Sequence, residues 1–169
     1  KSRLKKRMTS MGRFSYESET EENPSVPTFF VAMTGPKAFS SNDFVGVWKQ
    51  KGISEKHSRF DKAIDLEHPG YFQESAIPIH RKVTDTLFPI IYRRDLSFRL
   101  STWLGTTLPV DQTLWQVHVT SGPLGRSGAI SQKKTMLLNP DKQVESILMF
   151  RAHHALADGV SLVSAFLDL

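Results

Sequence analysis

The stretch VESILMFRAHHALADGVSLVSAF, residues 144–166, contains the clearest structural signal in the chain. Residues 144–152 have an apolar centre at residues 147–150 and predict a buried β-strand. After Gly159, apolar residues recur at helical spacing and predict a helix with a broad apolar face. The histidine pair and the Asp-Gly between these two elements are therefore expected at a strand–loop–helix junction, where a rigid scaffold can hold a catalytic side chain.

This loop contains His153, His154, Asp158 and Gly159, and its chemistry suits a positioned general base. The unperturbed pKa of histidine is about 6.5, so its imidazole can take up and release a proton near neutral pH. We predict that His154 takes the proton of an acceptor hydroxyl, whose oxygen then attacks a thioester carbonyl, and that it later protonates the departing thiolate. Asp158 would support the shape of the loop, and Gly159 would allow a backbone turn that a side chain forbids.

Other roles are open to these residues. A histidine pair with no catalytic role is the ordinary alternative, although the adjoining Asp-Gly and the junction favour catalysis. His154 and Asp158 have the i,i+4 spacing of helical metal ligands, but the local sequence offers no third ligand, so we expect no metal. Ser161 lacks a surrounding Gly-x-Ser-x-Gly motif, which disfavours a serine hydrolase.

Two aromatic residues upstream could serve either the core or the site. Trp115 and His118 lie in Leu-Trp-Gln-Val-His-Val-Thr, residues 114–120, whose alternation predicts a second strand. We interpret Trp115 as a core anchor, with the wall of an acyl or alcohol channel as the alternative. We interpret His118 as a partner in packing or hydrogen bonding.

The charge distribution is uneven along the chain. The net charge is +5, and six basic residues precede the first acidic one. Residues 1–23 therefore predict a polar, disordered arm, with electrostatic attachment to an anionic membrane as the alternative. Nucleic-acid binding is disfavoured because no recognised module or basic-aromatic face follows.

The composition excludes two further classes of chemistry and structure. The chain has no cysteine, which excludes disulfides and thiolate chemistry. It also has no apolar run near the ~20 residues of a transmembrane helix.

The rest of the chain predicts alternating strands and helices. A strand is expected at residues 28–34, and a helix from the capping residues 41–43 to Gly52. Residues 58–66 are expected to form a strand or an irregular crossing. A second helix is expected from Asp95 to Gly105. Residues 67–89 give no clear pattern.

The motif residues resemble a known signature. His153, His154, Asp158 and Gly159 match the HHxxxDG motif of the condensation-domain and acyl-CoA-dependent acyltransferase superfamily. Residues 108–118, LPVDQTLWQVH, resemble the PLD…PLWE-type segment of the wax ester synthase/diacylglycerol acyltransferase family, with Thr113 in place of proline and glutamine at 116 in place of glutamate. Asn23-Pro24, Arg59-Phe60 and the helix before Pro109 follow in the expected order, so the resemblance covers residues 23–169.

The resemblance implies an α/β (α+β) fold: the N-terminal half of a two-lobed acyltransferase like chloramphenicol acetyltransferase, with a mixed sheet and flanking helices. Residues 24–169 would be its N-terminal lobe, truncated after the motif, and the missing C-terminal lobe of the same protein would complete the site. The fragment alone is then expected to be inactive. His154 would be the general base and His153 its motif neighbour.

The resemblance also implies the reaction. Acyl-CoA would be the co-substrate, with no bound cofactor, and a long-chain alcohol or diacylglycerol would accept the acyl group to form wax esters or triacylglycerol. The protein would be cytoplasmic or peripheral on the endoplasmic reticulum or another lipid membrane. The alternatives are a non-catalytic acyltransferase-like binding domain and a condensation-type domain of peptide synthesis.

Overall fold

The structure is a computed structural model that describes residues 6–33, 39–86, 101–120, 146–156 and 159–169. Short strands and helices alternate along it. In chain order they are β1 (Lys6–Arg7), α1 (Ser10–Glu17), β2 (Thr28–Met33), α2 (Ser41–Gln50), α3 (Ile53–Lys56), a 3-10 turn (Ser58–Asp61), β3 (Lys62–Ile64), β4 (Tyr71–Glu74), α4 (Ile79–Lys82), β5 (Val83–Thr86), β6 (Trp115–Thr120), β7 (Ser146–Ala152) and α5 (Gly159–Leu167). Residues 101–104 are also helical.

The strands form two sheets. The larger sheet has the order β2-β7-β6-β5, in which β7 pairs antiparallel with both neighbours and β5 pairs parallel with β6. The smaller sheet, β1-β4-β3, is antiparallel. A mixed sheet with flanking helices is the predicted fold class, and that prediction is confirmed.

β7 lies inside the larger sheet, and all seven of its residues are buried. This explains its continuous apolar run, since a strand covered on both faces needs no polar alternation. β2 is at the edge of the described part of that sheet, and its Phe29, Phe30 and Val31 are partly exposed. The predicted strands at residues 28–34, 114–120 and 144–152 are all present within the described ranges.

The core under β7 is aromatic. Trp48 of α2 stacks on Trp115 of β6 with ring centroids 4.7 Å apart, and Trp115 stacks on Phe150 of β7 at 5.7 Å. Trp115 is 1% exposed, and its Nε1 donates to the carbonyl oxygen of Phe60 at 2.7 Å. The interpretation of Trp115 as a core anchor is confirmed.

A buried lysine adjoins this core. Lys82 donates from Nζ to the same Phe60 carbonyl at 2.9 Å, and its ammonium lies 5.3 Å from the centroid of the Trp115 ring. Burial lowers the pKa of Lys82 to about 8, against the opposing effect of Asp61. One carbonyl thus uses both of its lone pairs to satisfy the two buried donors.

Helix α2 begins as the sequence predicts, although one residue earlier. The Ser40 hydroxyl accepts from the Asp43 backbone N–H, and the Asp43 carboxylate accepts from the Ser40 backbone N–H at 3.0 Å, which is a capping box. The helix is followed by Gly52, whose φ of 62° lies in the left-handed region that favours glycine.

His118 has the packing role that its strand position predicts. Its ring stacks on Trp103, centroid to centroid at 4.4 Å, and its Nδ1 is 2.9 Å from the Thr84 hydroxyl of β5. Burial, and secondarily the charge of Arg151, lowers the pKa of His118 to about 4, so the imidazole is neutral at physiological pH. Trp103 belongs to the predicted second helix, whose residues 101–104 are helical and whose start at Asp95 lies outside the described residues.

The prediction of a disordered arm is wrong for residues 6–23. Lys6 and Arg7 pair with β4, and Thr9 caps α1 by accepting from the Gly12 backbone N–H. The buried face of this segment includes Met8, Gly12 and Ser15. The sequence prediction relied on the charged residues of this segment, most of which are exposed, whereas its contact with the fold is made by a few small, apolar and polar residues.

Candidate active site

The loop after β7 is fixed on both sides by backbone hydrogen bonds. The His153 N–H donates to the carbonyl oxygen of Leu114 at 2.8 Å, and the His154 N–H donates to that of Ser25 at 2.8 Å. The Leu156 N–H closes the turn by donating to the carbonyl of His153 at 2.9 Å. The histidine pair is therefore tied to the segment before β6 on one side and to the segment before β2 on the other.

His153 is fully buried, with 0% exposure, and both ring nitrogens have partners. Its Nδ1 accepts from the Ala155 backbone N–H at 3.0 Å. Because Nδ1 accepts, Nε2 carries the proton and donates to Glu19 Oε2, which is 3.0 Å away. Burial lowers the pKa of His153, with Glu19 acting in the opposite direction. His153 is thus held as a neutral imidazole in one tautomer.

Glu19 is a site residue that sequence reasoning missed. Its Oε1 accepts from the Ser25 backbone N–H at 3.1 Å while Oε2 accepts from His153. One carboxylate therefore holds the histidine pair against the segment that leads into β2. The sequence offers four glutamates between residues 17 and 22, and nothing in its pattern distinguishes Glu19 from the others.

His154 differs from its neighbour in having an unsatisfied nitrogen. Its Nδ1 is buried and has no hydrogen-bond partner among the residues that the structure describes. The side chain lines a cavity of about 390 Å³ together with Ser18 and residues 23–27. Leaving a buried polar atom unpaired costs about 1–3 kcal/mol, so such an atom in a loop fixed by three backbone hydrogen bonds calls for a functional explanation.

The remaining predicted site residues are only partly visible. Asp158 lies outside the described residues, and Gly159 is the first residue of α5. Of the predicted set, the structure therefore describes the two adjacent histidines of the loop after β7 and Gly159 at the start of α5. Within the described ranges, Asp65, Glu67 and His68 could together approach a metal ion. However, Asp65 Oδ1 accepts from the backbone N–H groups of the other two, which gives this cluster a turn-stabilising role.

Known proteins show where this architecture occurs. No family model matches the chain. Wax ester synthase/diacylglycerol acyltransferase 9 from Arabidopsis thaliana is 26% identical over 151 residues, which are 86% of this chain and 28% of that protein. The wax ester synthase/diacylglycerol acyltransferase from Marinobacter aquaeolei VT8 superposes with a TM-score of 0.59 at 14% identity, over 94% of this chain and 35% of that one. The chain resembles wax ester synthase/diacylglycerol acyltransferases in sequence and in fold.

The same fold occurs in condensation domains. The condensation domain of the enacyloxin polyketide synthase superposes with a TM-score of 0.55 at 14% identity, over 99% of this chain and 30% of that one. The predicted resemblance and the predicted two-lobed acyltransferase fold class are confirmed, and the chain spans about a third or less of the length of these relatives. Since one fold serves several reactions, the choice among them has to come from the site.

None of the helices in the described ranges has the length and apolar character needed to cross a membrane.

Proposed function

We propose that the protein containing this chain is an O-acyltransferase of the wax ester synthase/diacylglycerol acyltransferase type. It transfers a fatty acyl group from acyl-CoA, a co-substrate, to a long-chain alcohol or diacylglycerol. The observation that carries the proposal is the contrast between the two histidines. Both ring nitrogens of His153 have hydrogen-bond partners. His154 lines a cavity, and its buried Nδ1 has no hydrogen-bond partner among the described residues.

The proposed reaction needs one imidazole that alternates between base and acid. Neutral His154 accepts the proton of the acceptor hydroxyl as its oxygen bonds to the thioester carbonyl carbon. The resulting tetrahedral intermediate collapses as the carbon–sulfur bond breaks, and protonated His154 delivers the same proton to the departing thiolate. Proton transfer of this kind contributes about 10²–10⁴-fold in rate.

His153 and Glu19 act as positioning residues in this scheme. The Ala155 N–H and the Glu19 carboxylate hold the first imidazole in one tautomer, so the backbone that carries His154 cannot rotate freely. Asp158 and Gly159 would complete the loop. Fatty acceptors reside in membranes, so peripheral membrane contact belongs to the same proposal, and nucleic acid does not.

The test is His154→Ala in the full-length protein, assayed for ester formation from acyl-CoA with a fatty alcohol and with diacylglycerol. We expect kcat to fall by about 10²–10⁴-fold with the circular dichroism spectrum unchanged. His80→Ala, at an exposed histidine of α4, is the matched control and should keep full activity. Unchanged turnover in His154→Ala would leave the protein without the proposed base and would favour a non-catalytic binding domain.

A further inference from the structure

A second cavity, of about 250 Å³, has a basic lining. We refer to it as the basic cavity. Its polar lining residues are Lys6, Lys56, His57, Ser58 and Arg59, and none of the described residues that line it carries a carboxylate. The residues come from β1, from the end of α3 and from the 3-10 turn that follows, so the fold brings cations from separate parts of the chain to one point.

Two of these side chains are held in place. Arg59 Nη1 donates to the carbonyl oxygen of Leu156 at 3.4 Å, and His57 Nε2 donates to Asp168 Oδ2 at 2.7 Å. Asp168 thus faces His57 from the end of α5, and its pKa is lowered by that hydrogen bond and by nearby Lys56 and Lys51. Among the described residues, three permanent cations, Lys6, Lys56 and Arg59, line the basic cavity, and their charge exceeds that of the Asp168 carboxylate beside it.

The apolar part of the basic cavity connects it to the histidine loop. Its lining includes the buried residues Phe60 and Leu156. Leu156 is two residues after His154 and donates its N–H to the carbonyl of His153. A ligand in the basic cavity would therefore contact the same loop that carries the proposed base.

We infer that the basic cavity binds the phosphate group of a phosphate ester whose remainder lies outside it. Lysine, arginine and hydroxyl donors around one small space match the several acceptor oxygens and the charge of a phosphate. The volume is below the about 300–1,000 Å³ of pockets that enclose whole small molecules, so the basic cavity suits one group of a larger ligand. That ligand is either the CoA part of the acyl donor or a phospholipid headgroup. Its assignment to the donor rests on the proposed function, whereas phosphate binding does not.

The experiment measures binding rather than turnover. Titration calorimetry of the wild-type protein with CoA and with inorganic phosphate is compared with Lys6→Ala/Lys56→Ala. The control is Lys49→Ala/Arg81→Ala, which removes the same charge from exposed residues that do not line the basic cavity. We expect the first pair to weaken CoA binding by about tenfold or more and the control by less than about twofold. The single variant Lys56→Glu leaves β1 unchanged, and it should weaken CoA binding at least as much as Lys6→Ala/Lys56→Ala does.

A second arm separates the two sources of phosphate. Sedimentation with phosphatidylcholine vesicles, with and without phosphatidic acid, is repeated for each variant. Loss of CoA binding assigns the basic cavity to the donor, while loss of phosphatidic acid binding with CoA binding intact assigns it to a lipid headgroup. Equal losses in the Lys6/Lys56 and control variants, or no binding of any probe by the wild type, would overturn the inference. Because no step depends on ester formation, a failed His154 test leaves this result interpretable.

Discussion

At the scale of single residues, the two histidines illustrate what sequence and structure each contribute. The HHxxxDG spacing selects both residues, but it does not say which imidazole is free. The structure separates them, because Nδ1 and Nε2 of His153 are both bonded while His154 Nδ1 is not bonded within the described ranges. Glu19 is the residue behind this difference, and its partner His153 is 134 positions away in the chain. A contact at that separation leaves no local pattern, so the sequence could not predict it.

Glu19→Gln should weaken the site specifically. Both partners of the carboxylate, His153 Nε2–H and the Ser25 N–H, are donors. Glutamine has one acceptor oxygen and one donor group, so it can satisfy only one of them. We expect a loss of about 1–3 kcal/mol in unfolding free energy. Under conditions where the variant stays folded, we expect a lower kcat for ester formation with little change in KM.

The matched control is Glu21→Gln, at an exposed glutamate of the same segment. It should change neither stability nor kcat. Equal behaviour of the two variants would mean that the Glu19 carboxylate does not position the histidine loop.

At the scale of elements, length decided what could be predicted. β2, β6, β7, α2 and α5 each span six or more residues and have either a clear period or a continuous apolar run, and the sequence predicts all of them. β4, α4 and β5 have four residues each, which is too short for a period to emerge, and they lie in the stretch without a pattern. Helix α1 was not predicted for another reason. The many charged residues near the start of the chain favoured a disordered arm, and the contact of α1 with the fold depends on the small residue Gly12.

Two glycine variants test the docking of α1. A Cβ on Gly12 would lie 3.1 Å from the carbonyl oxygen and 3.3 Å from the Cα of Ala155 in the histidine loop, whereas a Cβ on Gly46 of α2 would meet nothing within 4 Å. Alanine in a helix is favoured over glycine by about 0.5–1 kcal/mol. We expect Gly46→Ala to raise the unfolding free energy by that amount. Gly12→Ala should give no gain or a loss, together with a lower kcat, because the Ala155 backbone must move.

Chemical denaturation of both variants measures the difference. A disordered arm would instead make Gly12→Ala neutral in stability and in activity. Since Gly46 serves as the internal reference for helix propensity, a deficit in stability at Gly12 reports the close contacts of that position, with Ala155 of the histidine loop and with the Thr9 hydroxyl at 3.1 Å, and a lower kcat reports the first of them.

At the scale of the whole molecule, two histidines removed from water to different degrees link the stability of the fold to pH. His118 and His153 both have lowered pKa values because burial disfavours their charged forms. The sequence does not show that His153 is buried or that His118 is half-buried, nor that both are neutral. The environment of His118 is built from Trp103, Thr84 and Arg151, which belong to different segments that meet only in the folded chain.

The folded protein should therefore lose stability as the pH falls from about 6.5 towards 4. The pKa of His118 is about 4 in the folded state, against 6.5 for an unperturbed histidine. Between these values the unfolded chain binds a proton that the folded one excludes, so the free energy of unfolding decreases with falling pH, by about 3 kcal/mol for this residue alone. His118→Gln removes the titration while leaving an amide beside Thr84, and its stability should fall less steeply over that range. Denaturation midpoints at half-unit pH intervals measure both slopes, and parallel slopes in the two proteins would show that His118 is already protonated in the fold.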